Sequence, residues 1–172
     1  MFHSENGQDE GIYLWVIKDI SNNVNYIHYV GETTNFSKRH REHLTHILGL
    51  NYQVIDADSA KQGICRILWN GMWRDKRTDA AKHTLDNYAS ISRYVVNYVK
   101  CCDIYLAPTK FSREIRRHIE GCIGWNLKNK HPELTRFYPA DMHTGMMKEP
   151  LNKTLTISSD QPIAGLDDEI RI

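Results

Sequence analysis

The run GIYLWVIKDISNNVNYIHYVG (residues 11–31) holds two apolar, aromatic-rich stretches separated by a short polar turn. Residues 11–18 and 25–31 are dense in β-branched and aromatic side chains, a composition that favours strands. DISNN between them supplies turn chemistry, so the pair predicts an antiparallel hairpin. With the loop centred near residue 21 or 22, Tyr13 falls opposite a position between Tyr29 and Gly31. Tyr13 and Tyr29 then share one face of the hairpin, within cross-strand reach.

Working outward, TNFSKRHREHLTHILGL (residues 34–50) predicts a helix capped by Asn35 or Ser37. At helical spacing His40, Leu44, Ile47 and Leu48 form its apolar stripe. Arg39 and His43 stand one turn apart on the flank of that stripe, at the border of core and solvent. DADSAKQG predicts a short capped helix ending at Gly63. The apolar run ICRILWNGMW has no decisive period. TDAAKHTLDNYASISRYVVNYV predicts a long helix, with Thr78 as cap and Ala81, Leu85, Tyr88, Val95 and Val99 at helical spacing. CCDIYLAP (101–108) predicts a third strand stopped by Pro108. SREIRRHIEGCIGWNL (112–127) predicts a helix capped by Ser112 that buries Ile115, Ile119, Cys122, Ile123 and Leu127. Glu120 lies on its flank, and Gly121 and Gly124 beside it imply close packing. Beyond residue 130 the pattern thins: KTLTISS predicts an edge strand within a poorly ordered arm.

The fold class that follows is α+β: a small three-stranded antiparallel sheet flanked by helices. Its core spans 11–48 and 101–127, with a mainly helical insertion over about 50–100 and a C-terminal extension over 131–172. A length of 172 residues suits one domain with an appended arm. The 22 basic residues against 21 acidic ones leave a net charge of +1. No global field therefore points to nucleic acid, and such a partner must be argued from local patches. The positive charge is clustered in SKRHREH, WRDKR and SREIRRHIE. No stretch reaches the roughly 20 apolar residues of a membrane span, and MFHSENGQDE is no signal peptide. The four cysteines lack CxxC spacing, so the expectation is a cytoplasmic protein with reduced, buried thiols.

GIY at 11–13, YVG at 29–31, Arg39 and His43 in FSKRHREH, and Glu120 in RRHIEGCIGWNL together resemble the signature of the GIY-YIG nuclease superfamily. Order and context match: hairpin, glycine, polar turn, arginine, histidine four residues on, then a glutamate in a helix after a third strand. The resemblance covers about 11–48 and 101–127. Many members also carry an asparagine soon after the glutamate helix. Here that region reads KHPELTRFYPADM, with Asn126 and Asn129 too early.

The resemblance implies a metal-dependent endonuclease hydrolysing phosphodiester bonds in DNA, with RNA or branched DNA as other substrates and a homodimer as a way to cut both strands. It gives Tyr13 the base or water-positioning role and Tyr29 a supporting hydrogen bond. It gives Glu120 the metal, Mg²⁺ or Mn²⁺. These residue types suit the chemistry. An arginine fork can hold two phosphate oxygens at once, which fits Arg39. One carboxylate plus waters and substrate oxygens suffices for Mg²⁺. A free tyrosine, with a pKa near ~10, needs a neighbour such as Arg39 or a metal to ionise. His43 would orient the phosphate or a tyrosine. Lys38, Arg41, Arg74, Lys76, Arg113, Arg116 and Arg117 are the candidate contacts to the nucleic-acid backbone.

Taken singly, each residue has a plainer reading. The tyrosines can be sheet packing, Arg39 a solvated helix charge, His43 a boundary histidine and Glu120 the partner of Arg116. Glu114 and Glu133 are rival carboxylates, and His40, His43 and His46 a rival zinc set. A nucleic-acid-binding module on the same scaffold that does not cut is the competing function.

Overall fold

The computed structural model describes residues 9–139 and 152–172. In chain order the elements are β1 (Gly11–Asp19), β2 (Val24–Thr33), α1 (Phe36–Leu48), β3 (Val54–Ile55), α2 (Ala57–Ala60), β4 (Ile67–Trp69), α3 (Ala80–Lys100), β5 (Cys102–Pro108), α4 (Arg113–Lys130), β6 (Thr154–Thr156) and β7 (Glu169–Arg171). Short 3₁₀ turns occupy Met72–Arg74 and Pro132–Phe137.

β1 is the middle strand of a three-stranded antiparallel sheet of order β2-β1-β5. Its unbroken apolar run has a direct cause, because both faces of the sheet are covered. Tyr13, Trp15 and Ile17 face one core with Phe36 and Ile47 of α1, Val95 and Tyr98 of α3, and the β3–β4 pair. Ile12, Leu14 and Val16 face a second core with Ile119, Cys122, Ile123 and Leu127 of α4. The fold is therefore α+β, as the sequence pattern predicts.

The hairpin register places Tyr13 opposite Gly31 and Trp15 opposite Tyr29; Val16 then pairs with Ile27, so His28 is an extra residue on β2. Such a bulge disturbs strand alternation. Ile27 packs in the second core, whereas His28 and Tyr29 both line a cleft on the side of the first. His28 is buried, and its Nδ1–H donates to the Phe137 carbonyl at 2.7 Å while Nε2 accepts from the Tyr98 hydroxyl at 2.6 Å. Burial lowers its pKa and keeps the ring neutral.

Asn35 caps α1 by accepting from the Lys38 backbone N–H at 2.8 Å. Its buried stripe differs from the expected one. Phe36, His43 and Ile47 are buried, and Leu48 is exposed. The sheet meets this helix through Tyr13 and Trp15, whose rings select the 36–43–47 face. α3 shows the same kind of shift: Thr84, Val95 and Tyr98 are buried, while Leu85 and Tyr88 are exposed. The insertion combines the short helix α2 and the long helix α3 with the small β3–β4 sheet, into which the undecided run ICRILWNGMW partly folds.

The expected poorly ordered arm does not hold for residues 152–172, where β6 and β7 pair into a hairpin. Ile163, Ile170 and Ile172 complete the second core. Asp167 ties this segment to the end of α4, accepting from Asn126 at 2.9 Å and Lys130 at 3.1 Å and bonding His131 at 2.9 Å. The part of the arm over 140–151 lies outside the described residues, as do residues 1–8. Among the described residues, no helix is long and apolar enough to cross a membrane.

One expected phosphate contact is internal. Arg116 is 1% exposed and donates to Glu10 at 2.6 Å, to Glu32 at 3.4 Å and to the Phe111 carbonyl at 2.6 Å. A guanidinium so enclosed is a bracket between β2 and α4, not a surface cation. Glu32, not Glu120, is its carboxylate partner on the sheet. Removing one member of a buried pair strands the other charge. Arg116→Ala should therefore cost about 3 kcal/mol or more in urea denaturation, whereas Arg113→Ala, whose side chain is 72% exposed, should cost under about 1 kcal/mol.

Candidate functional site

Tyr13 stands at the third position of β1 and Arg39 and His43 one turn apart on α1, so sheet-on-helix packing brings them together. The Tyr13 hydroxyl bonds His43 Nε2 at 2.7 Å and accepts from Arg39 Nε at 3.1 Å. The Tyr29 ring stacks on that of Tyr13 with centroids 5.8 Å apart and meets His43 edge-on at 5.0 Å. Gly31 makes this stacking feasible. A Cβ there would overlap the Tyr13 phenol and come within 2.7 Å of Tyr29 Cε1.

Glu120 projects from α4 into a cleft of about 420 Å³ that Tyr29 and His43 also line. The Glu32 backbone N–H bonds its carboxylate, and the Arg39 charge acts on it. Four of the five residues singled out for chemistry are thus joined by direct contact, and the fifth shares the cleft with two of them.

Exposure separates the five. Tyr13 and His43 are each 4% exposed, Tyr29 and Glu120 are half-buried, and the Arg39 side chain is 34% exposed. Burial and the neighbouring Tyr29 hold the Tyr13 phenol well above the usual tyrosine range, and Arg39 offsets this only in part. The expectation that Arg39 would favour the phenolate therefore fails for the free protein: desolvation outweighs one guanidinium. His43 is pushed down to about 3 by burial and then by Arg39, His40 and His46. It is neutral, and a single hydrogen bond joins phenol and imidazole. His43 lies at the centre of the buried stripe of α1 rather than on its flank.

Arg39 also gives Nη1 to Glu42 at 3.0 Å. Both groups are about a third or more exposed, so this pair is worth at most ~1 kcal/mol. A phosphate could displace Glu42 at little cost and take the outer arm of the fork. Glu42 was not among the expected residues, although an acid three positions after an arginine on a helix is a recognisable signal.

Burial, and then the charge of Glu32, push the Glu120 pKa up to about 7. A partly desolvated carboxylate repelled by a second one has unmet demand for positive charge, which a divalent cation satisfies. Among the described residues, no three His, Cys, Asp or Glu side chains gather around a metal position. Mg²⁺ does not require that, since it binds through one or two carboxylates and keeps several waters. The donor set at Glu120 fits it. The rival zinc set does not assemble: His43 bonds Tyr13, His46 contacts the Asn51 amide at 3.3 Å, and His40 lies against Trp15.

Of the expected basic contacts, Arg74 lines the cleft and Arg117 acts on Glu120. Lys38, Arg41 and Lys76 are exposed and line no part of the cleft. Arg113 is exposed but paired with Glu32 at 3.1 Å. Glu114 is exposed in the first turn of α4 and Glu133 is exposed beyond its end, and neither lines the cleft.

Sequence reading missed Tyr52, Trp73 and Tyr138. Tyr52 packs against His43 at 5.7 Å and His46 at 5.3 Å. Tyr138 is buried, with no hydrogen-bond partner for its hydroxyl among the described residues; burial and the nearby Glu120 raise its pKa. Their only signal in the chain is an aromatic residue beside turn formers.

No protein-family model, no curated protein and no solved structure matches this chain.

The raised Glu120 pKa has a consequence for stability. The folded state holds this proton more tightly than the unfolded chain does. Its contribution is thus fully present below about pH 4.5 and lost as pH rises through about 7. Glu120→Gln should stabilise the metal-free protein by about 1–3 kcal/mol at pH 8 and change little at pH 4. Thermal melts at the two pH values measure it, and an equal effect at both would mean that the carboxyl is not perturbed.

Proposed function

We propose that this protein is a metal-dependent endonuclease of the GIY-YIG type that hydrolyses phosphodiester bonds in DNA. One observation carries the reading: the Tyr13 hydroxyl is held between Arg39 Nε and His43 Nε2, with the Tyr29 ring stacked over it. Packing alone would not require two hydrogen bonds from helix to strand at one phenol. Glu120, on the cleft that Tyr29 and His43 also line, completes the set.

In this reading Arg39 releases Glu42 and takes an oxygen of the scissile phosphate. Glu120 would hold Mg²⁺ or Mn²⁺, which would supply neutralisation of the charge that builds up on the phosphate. The attacking water gives its proton to the Tyr13 oxygen as the phenol gives its own to His43, which ends as the imidazolium. The low His43 pKa belongs to the free protein; an incoming phosphate raises it by placing negative charge nearby. Tyr29 keeps the phenol oriented through its ring.

A non-cutting nucleic-acid-binding module is the second reading, favoured by the burial of Tyr13 and by the engagement of Arg39 with Glu42. Supercoiled plasmid with Mg²⁺ separates the two. The wild type should nick it and Glu120→Ala should not. Arg39→Ala should lower turnover by about 10²–10³ with a smaller change in binding. Intact plasmid after exposure to the folded wild type would leave the second reading standing.

The pH profile assigns the acid limb. Metal and proton compete for Glu120, so nicking should rise with pH through about 7, and the midpoint should fall as Mg²⁺ is increased. A midpoint indifferent to Mg²⁺ would place the limb on another group.

A further inference from the structure

The cleft extends past Glu120 to a wall built by the insertion. Trp73 forms its rim and is 59% exposed. The ring is nonetheless fixed from beneath: His46 lies 4.5 Å away and Tyr52 meets it edge-on at 5.2 Å. The backbone under it is pinned as well. Met72 N–H donates to the Leu50 carbonyl at 2.9 Å, and Gly71, at φ 92°, sits where a Cβ would press on the Asn51 carbonyl oxygen at 2.6 Å. Only glycine allows that approach.

Beside the indole, Gln53 and Asn70 line the same cleft. Their side-chain amides have no hydrogen-bond partner among the described residues. Arg74, also in the wall, adds positive charge that acts on His28 and Tyr98. A rigid π face, two amides able both to donate and accept, and a guanidinium match the chemistry of one nucleobase with its phosphate. The 420 Å³ volume is in the range of small-ligand sites, roughly 300–1,000 Å³. A base stacked inside a duplex cannot offer its face to Trp73, so the ligand is unpaired or turned out of the helix. A net charge of +1 gives little non-specific grip on phosphates, which leaves stacking a large share of the affinity.

We propose that this cleft binds an unpaired nucleobase adjoining the phosphate held at Arg39 and Glu120, with Trp73 as its stacking platform, so that the substrate is nucleic acid with an unpaired or extruded nucleotide. This rests on the phosphodiester reading of the site.

The test is equilibrium binding of the full-length protein in EDTA, where no turnover occurs. The probes are two fluorescent short DNA duplexes, one fully paired and one with a single unpaired 2-aminopurine. The wild type should bind the unpaired probe more tightly by roughly 5- to 100-fold and quench the aminopurine, as stacking of one base provides. Trp73→Ala should lose both the preference and the quenching, and Trp73→Phe should keep much of each. Plasmid nicking is scored separately. Equal binding of the two probes by the wild type, or a preference that survives Trp73→Ala, overturns the base site whether or not the plasmid is cut. A preference that depends on Trp73 without any nicking supports the base site and removes the hydrolytic reading.

Discussion

Burial of β1 on both faces is the constraint from which the rest of this structure follows. A strand covered on two sides must divide its residues between two cores. Odd positions from Tyr13 to Ile17 join one and even positions from Ile12 to Val16 join the other. That division places the Tyr13 phenol under α1 and leaves α4 to approach from the opposite face. The site forms where the two meet, at the β2 edge. There Tyr29 looks out from the sheet, and Glu120 reaches the same cleft and accepts the Glu32 backbone N–H. The buried Arg116 bracket secures this meeting of β2 and α4 with charge-assisted bonds that need no water.

The electrostatics follow from the same enclosure. Low solvent access raises the Tyr13 phenol and Glu120 and lowers His43, so burial favours the neutral form of each. Arg39 keeps its full charge, directing Nε inward to Tyr13 and Nη1 outward to Glu42.

Much of the fold was legible in the chain. The hairpin, its approximate register, the Asn35 cap, the third strand ending at Pro108 and the α4 stripe all rest on local signals with a two-residue or 3.6-residue period. The helix-face errors share one cause. Leu48, Leu85 and Tyr88 have the right spacing and chemistry for burial but are exposed, because the aromatic rings on β1 and α3 decide which helical face turns inward. In the C-terminal hairpin, β6 lies within the KTLTISS run expected as a strand, whereas the three residues of β7 have too short a period to be seen; Asp167 and isolated isoleucines hold the pair.

The sequence by itself determined where the tyrosines, arginine, histidine and glutamate of the candidate site stand in the chain, and the order of strands and helices that carries them. Local propensity and spacing fix those things within a few residues. Tertiary structure alone decided that Arg116 is an internal bracket, that His43 is central rather than flanking, and that Tyr52 and Trp73 wall the cleft. Each depends on contacts between segments tens of residues apart, and pairings at that range leave no period in the chain.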